Sequence, residues 1–401
     1  LEKLPLDDFE SGKNVALGAI LGNYSFTKYK NEDGKKKYSG VTEVNIVNTS
    51  FKESEFKKGA EEGVSIAEGV ILTRDLVNDP ASHTNIESMV KTARTIADQS
   101  KGTITATILG KKECEALGMG SYLAVAKGSS QEPKFIILHK KGKKGAKKIA
   151  VIGKTVVFDS GGLSLKPWDA MLDMKIDMAG GGVVLGLFQI LSQNDQLTNM
   201  EVYGILPACE NMISGNATRP GDIAQALNKK TIEILNTDAE GRLTLADALS
   251  YAEIKLGVDY VVDLATLTGA CMVALGYDFA GVFANDENFF DQFGTSASQE
   301  GEEYWRLPLH KPYLKQMKGD ITDLKNIGKG RSAGAITAAL FLSEFVEKTP
   351  WIHIDIAGPA YRSEPVGMLP KGATGWGVQS IVTLLRQLTI SNYKLQIKKL
   401  R

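Results

Sequence analysis

Lys154 closes the apolar run KKIAVIG, and Asp159 closes TVVFD just ahead of Ser160-Gly161-Gly162. Asp177 lies in a further strand candidate, MKIDM, shortly before Gly180-Gly181-Gly182. TIEILNTDAEGR carries Asp238, Glu240 and Arg242, with Gly241 between the last two. Read as extended chain, Asp238, Glu240 and Arg242 share parity and project to one face. The neighbouring glycines would let backbone approach a ligand closely. Carboxylates gathered at one sheet edge repel one another, and unpaired buried charge is costly. Lysine and arginine supply part of the countercharge. Divalent cations would supply the rest, in a carboxylate-bridged two-metal centre.

Such a centre needs elements that deliver each residue to one place. After Pro80 the chain alternates between helical and strand patterns. SMVKTARTIADQ, KKECEALG, GGVVLGLFQILSQ, LTLADALSYAEIK and AGAITAALFLSEFV read as helices. TITATIL, KFIILHK, KKIAVIG, TVVFD, MEVYGILPA, DYVVDLAT and WIHIDIAG read as strands. Alternation with continuous apolar strands predicts an α/β domain, a mostly parallel central sheet flanked by helices. Ligands in such sheets sit at the carboxyl ends of the strands. Before Pro80, Phe56, Ala60, Val64, Ala67 and Ile71 fall at helical spacing, and Asn78-Asp79-Pro80 stops that helix. In the first fifty residues NVALGAILG and VTEVNIV read as strands joined by a solvated loop, KYKNEDGKKKY. The expected division is residues 1–52, a linker helix over 53–79, and the main domain over 80–401.

Other chemistries fit less well. Gly153-Lys154-Thr155 resembles the end of a phosphate-binding loop, but the motif's first glycine would fall at Lys148. Gly180, Gly182 and Gly186 miss a dinucleotide fingerprint because Leu185 stands where its last glycine belongs. None of the four histidines lies in the glycine-flanked clusters, and there is no HExxH. Ser160 has no base partner nearby in sequence. Cys114, Cys209 and Cys271 form no CxxC pair, which suits a reducing compartment. Lys+Arg and Asp+Glu both number 47 in the 401 residues, so net charge gives no general pull towards nucleic acid or membrane. The run Lys140–Lys148 reads as a solvated turn. The apolar stretch Ala179–Leu191 is too short to span a bilayer. The chain starts LEKLPLDDFE, without Met and without the pattern of a signal peptide, so it is expected to be processed or to begin mid-protein.

The octapeptide Asn236–Leu243, NTDAEGRL, resembles the signature of the leucyl aminopeptidase family. GKTVVFDSGGLSLKP, DMKIDMAGGG, SGNATRPGDI, DLATLTGACMVALG, DLKNIGKGRSAGAITAALFL and HIDIAGPA resemble further family blocks in the expected order. The similarity runs from about Leu72 to Leu385. The resemblance implies a zinc-exopeptidase-like catalytic domain, preceded by an N-terminal α/β piece that is truncated or absent in this chain. It implies two divalent cations (zinc, manganese or magnesium) on Lys154, Asp159, Asp177, Asp238 and Glu240, with Asp159 and Glu240 bridging. Lys166 would be the catalytic lysine, and Arg242 would hold a bicarbonate ion acting as general base. Met174, Thr266, Leu267, Gly269 and Ala360 would bind the substrate's first side chain, favouring Leu- and Met-like residues broadly. A cytoplasmic homo-hexamer of two trimers acting on peptides is implied. Some relatives also serve as DNA-binding regulators, a second reading that the Lys140–Lys148 run alone supports.

Overall fold

The computed structural model describes residues 7–36, 40–47, 52–194, 197–330 and 332–399, with backbone alone from residue 390 on. The strands are β1 Ile104–Leu109, β2 Lys134–Lys140, β3 Lys148–Gly153, β4 Thr155–Asp159, β5 Glu201–Asn211, β6 Asp222–Gln225, β7 Thr231–Ile234, β8 Tyr260–Ala265, β9 Ala280–Ala284, β10 Tyr304–Arg306, β11 Leu324–Lys325 and β12 Trp351–Asp355. The main sheet runs β1-β2-β5-β3-β8-β12-β9-β10, with β4 also paired to β5. Its centre, β5-β3-β8-β12, is parallel. Antiparallel pairs occur at β1-β2, β2-β5 and β12-β9. The strands β6, β7 and β11 make a separate small sheet.

Both faces of the main sheet are covered. Along β3, Ile149 and Val151 enter one core with the helices Glu53–Asn78, Ile86–Gln99 and Ala179–Gln193. Ala150 and Ile152 enter the other, with Gly241–Ser250 and Gly334–Ser343. The alternation follows from the two-residue period of a strand. Met174–Gln193 is long and apolar enough to cross a membrane by composition, yet 78% of its most apolar window is buried in the fold. It is a core helix.

The strands expected in the first fifty residues do not form. NVALGAILG lies instead in a helix, Asp8–Gly22. Asp7 starts it by accepting the Glu10 amide at 2.8 Å, and Leu17 and Leu21, one turn apart, are buried. VTEVNIV has no regular structure and is exposed. The connector KYKNEDGKKKY carries a short helix, Glu32–Lys36, and its last two residues lie outside the described ones. The linker helix spans Glu53–Asn78, but Val64 is exposed and its contact face is set by small residues. A Cβ at Gly59 would lie 1.9 Å from the Phe9 carbonyl oxygen, so the two helices meet backbone to backbone. The Lys140–Lys148 run joins β2 to β3, with Lys140 buried and Lys147 paired to Asp259.

Candidate active site

Lys154 immediately precedes β4, and Asp159 is its last residue. Lys154 sits where β3 gives way to β4, and its amide still bonds the Leu264 carbonyl at 2.9 Å. The pairing of β4 with β5 shifts register after Val156, which brings Asp159 opposite Asn211. Asn211 then donates to Asp159 Oδ1 at 2.7 Å and to the Thr237 carbonyl at 3.0 Å. This asparagine ties the strand end to the NTDAEGRL turn, and no motif in the sequence singles it out.

Two expectations about local structure change here. MKIDM is a turn of 3-10 helix, Met174–Met178, and not a strand. Strand β7 ends at Ile234, so Asp238 and Glu240 lie in a turn and Arg242 in the first turn of the following helix. Shared parity therefore does not align these residues. A helix start beside Lys154 does. Gly241 makes it possible, because a Cβ there would meet Lys154 Cε at 2.4 Å. The turn is held by Asn326, which accepts the Leu235 amide at 2.9 Å and donates to the Asn236 carbonyl at 2.6 Å.

These elements gather the charged groups. Lys154 Nζ lies 2.7 Å from Asp177 Oδ1 and 2.7 Å from Glu240 Oε1. It also donates to the Thr266 carbonyl at 3.0 Å, and Thr266 Oγ1 donates to Asp177 Oδ1 at 2.8 Å. Lys166 Nζ lies 2.9 Å from Asp159 Oδ2 and also contacts Asp238. Asp159, Asp177 and Glu240 are buried and offer oxygens within 4.8 Å of one another. Asp177 Oδ2 is buried with no hydrogen-bond partner.

Burial and crowding set the protonation. Burial and the Glu240 charge push the Asp159 carboxyl up to about 7, against the pull of Lys166 and Lys154. Burial raises Asp177 well above the carboxylate range. Burial would also raise Glu240, but Lys154 and Lys166 outweigh it and hold Glu240 low. Burial disfavours the Lys154 ammonium, yet Asp177, Glu240 and Asp159 hold its pKa above the ordinary lysine value. Lys166 is held up in the same way by Asp159, Glu240 and Asp238. The site is thus an acid cluster short of positive charge, with an orphaned buried oxygen. Carboxylate oxygens and an amine nitrogen are donors that divalent cations accept, so the residues fit a metal centre.

A cleft of about 720 Å³ opens beside the cluster, lined by Asp238, Arg242, Leu267, Gly269, Ile327 and Gly334 among others. Arg242 donates Nη1 to the Asn326 carbonyl at 2.8 Å, while its buried Nε has no partner. Burial lowers its pKa to about 10, opposed by Glu240 and Asp355. Of the residues expected to bind the first side chain, Leu267 and Gly269 line this cleft and Thr266 joins the charged cluster. Met174 and Ala360 lie outside the lining.

Residues 71–382 match the model of the cytosol aminopeptidase family, catalytic domain. The chain belongs to the cytosol aminopeptidase family. A probable cytosol aminopeptidase of Gloeobacter violaceus is 47% identical over 88% of this chain and 68% of its own length. One from Synechococcus sp. (strain JA-3-3Ab) is 44% identical over 94% of this chain and 74% of its own. Among solved structures, the bottromycin maturation enzyme BotP in complex with Mn superposes with a TM-score of 0.85, at 34% identity over 94% of this chain and 79% of that one. A mutant tomato leucine aminopeptidase does so with 0.84, at 37% identity over 96% and 74%. As a member of that family, the protein is a hydrolase and a metal-dependent exopeptidase. Its α/β fold with a mostly parallel central sheet is that of the leucine aminopeptidases.

Proposed function

We propose that this aminopeptidase removes Leu- and Met-like N-terminal residues, with broad tolerance, using two divalent cations on Lys154, Asp159, Asp177, Asp238 and Glu240. Zinc or manganese is the expected occupant, with magnesium a further candidate. The observation that carries the reading is the buried convergence of Asp159, Asp177 and Glu240 with Lys154 beside an open cleft. Cations bound there would act as Lewis acids that activate a water, polarise the scissile carbonyl and take the peptide's free α-amine.

The chain's own groups have separable tasks. Lys154 must be a neutral amine to act as a ligand, a state that a neighbouring dication favours. Asp159 and Glu240 are the bridging carboxylates of this reading. Lys166 stays an ammonium at neutral pH, and its side chain, 14% exposed, can reach a developing oxyanion. Arg242 lines the cleft with a buried, unpartnered N–H, a suitable partner for bicarbonate as general base. Met174, Thr266, Leu267, Gly269 and Ala360 are the proposed substrate-binding set. An apolar pocket discriminates a methylene by only about 1–3 kcal/mol, which supports broad specificity.

The same reading includes a homo-hexamer and a cytoplasmic location. The relatives' shared name supports the location. It keeps the division at 1–52, 53–79 and 80–401. DNA binding is disfavoured by the balanced net charge, and within the lysine run Lys140 is buried and Lys147 pairs with Asp259. The test is cleavage of Leu-p-nitroanilide by the purified protein. Activity should vanish on chelation and return with manganese or zinc. Purified protein that takes up neither metal and cleaves no aminoacyl anilide would overturn the reading.

A further inference from the structure

The turn Thr266–Gly269 touches both halves of the site. Thr266 bonds Lys154 through its carbonyl and Asp177 through its hydroxyl. Leu267, Thr268 and Gly269 line the cleft. The turn follows β8, where the sheet stops supplying partners. The Ile356 amide still bonds the Ala265 carbonyl at 2.8 Å, but Leu267 and Thr268 find no backbone acceptor for their amides among the described residues.

Asp355 takes that place. It ends β12, pairs in register with Ala265 and is 1% exposed. Its Oδ1 accepts the amides of Leu267 at 3.1 Å, Thr268 at 3.4 Å and Ala357 at 3.2 Å. Its Oδ2 accepts the Thr268 hydroxyl at 2.7 Å. That hydroxyl oxygen in turn accepts the Cys271 amide at 3.0 Å and caps the helix Gly269–Leu275. One carboxylate therefore fixes a turn whose first residue, Thr266, bonds Lys154 and Asp177. An unmet buried amide is costly, so this carboxylate has no neutral substitute of equal capacity.

We propose that Asp355 is a positioning residue for the aminopeptidase reaction. It holds the Thr266–Gly269 turn so that Thr266 presents Lys154 and Asp177 to the metals and Leu267–Gly269 keep the cleft's wall. The proposal rests on the two-cation reading of the charged cluster.

The experiment compares full-length wild type, Asp355→Ala, Asp355→Asn and Thr268→Val, with Glu302→Gln as a control. Glu302 is another buried carboxylate that accepts backbone amides, those of Gly377 and Ser380. Two readouts do not depend on turnover: manganese affinity by titration, and amide hydrogen exchange at Leu267 and Thr268 in metal-free protein. Supporting residues of this kind typically contribute about ten- to a hundredfold in metal affinity or activity. Asp355→Ala should weaken manganese binding and kcat/KM by that range and speed exchange at both amides. Asp355→Asn, which keeps one acceptor oxygen, should fall between Ala and wild type. Glu302→Gln should lower the melting temperature alone. If Asp355→Ala lowers only the melting temperature, the proposal is overturned while the metal site stands. Should Asp355→Ala fail to fold, Thr268→Val decides: unchanged affinity and exchange overturn the proposal. Wild-type protein that takes up no manganese overturns the underlying metal site as well.

Discussion

Replacing Lys166 by alanine separates metal binding from catalysis. Fully ionised, Asp159, Asp177, Asp238 and Glu240 carry four negative charges against the two positive charges of Lys154 and Lys166. Lys166→Ala therefore moves the metal-free cluster from −2 to −3 and leaves Asp159, buried at 2% exposure, without its nearer ammonium. The Asp159 carboxyl, already at about 7, should rise further, and metal-free protein should lose stability. Two dications more than replace the missing charge, so the variant should regain wild-type thermal stability when loaded. Turnover should not recover. Losing a donor aimed at a developing oxyanion costs roughly 3–4 kcal/mol of barrier, about a hundred- to a thousandfold in kcat. The assay pairs metal content and melting temperature, with and without manganese, with kcat on Leu-p-nitroanilide. Turnover within a few-fold of wild type at full metal content would refute the role. Rate and metal lost in proportion would refute it too, since Lys166 would then be a support for the ligands.

Glu240→Ala should lose metal and activity together, as read by elemental analysis and anilide cleavage; an active, metal-loaded variant would remove Glu240 from the ligand set. Arg242→Ala should lower kcat and abolish any response of the rate to added bicarbonate, whereas an undiminished bicarbonate response would place that ion elsewhere. Asp247 tests the fold independently of the metals. It is fully buried, accepts the Tyr122 and Leu227 amides at 2.8 and 2.7 Å, and burial pushes its carboxyl from 3.8 up to about 7. Between those values the folded state binds more protons than the unfolded one. The contribution is therefore complete below pH ~4 and lost as pH rises through ~7, on the order of 4 kcal/mol. Urea denaturation across that window should show a stability slope about one proton smaller in Asp247→Asn, and equal slopes would contradict the assignment.

Much of the catalytic domain was legible because its strands are buried on both faces. Continuous apolar runs such as KFIILHK and DYVVDLAT have few alternatives to strands in a covered sheet. The charged cluster was legible for a related reason, since Lys154 and Asp159 flank the end of such runs. Legibility ended where structure depends on contacts distant in sequence. MKIDM has strand composition but forms a 3-10 turn, with Lys154 and Thr266 holding Asp177 in place. NVALGAILG satisfies both periods, and burial of Leu17 and Leu21 against the linker helix decides for helix. The holding roles of Asn211, Asn326 and Asp355 could not be read locally, because each bonds a segment distant in sequence, at Asp159, Leu235 and Leu267 respectively. Parity failed for Asp238, Glu240 and Arg242 because it presumes an extended chain past Ile234.

The lysines explain how so acidic a site can be preformed. Lys154 spans Asp177 and Glu240, and Lys166 spans Asp159 and Asp238. Each ammonium thus offsets two carboxylates that would otherwise repel one another. Metal uptake asks different things of the two lysines. Lys154 is 2% exposed and, as a ligand in the proposed reading, would surrender its proton, which would couple metal uptake to proton release. Lys166 lies nearer solvent, its side chain 14% exposed, and in the proposed reading would leave the carboxylates once cations neutralise them. That release frees an ammonium beside the cleft, where a negative charge would develop on the substrate. Under the proposed reading, the lysine that offsets Asp159 and Asp238 would also be the group that meets the charge developing on the substrate.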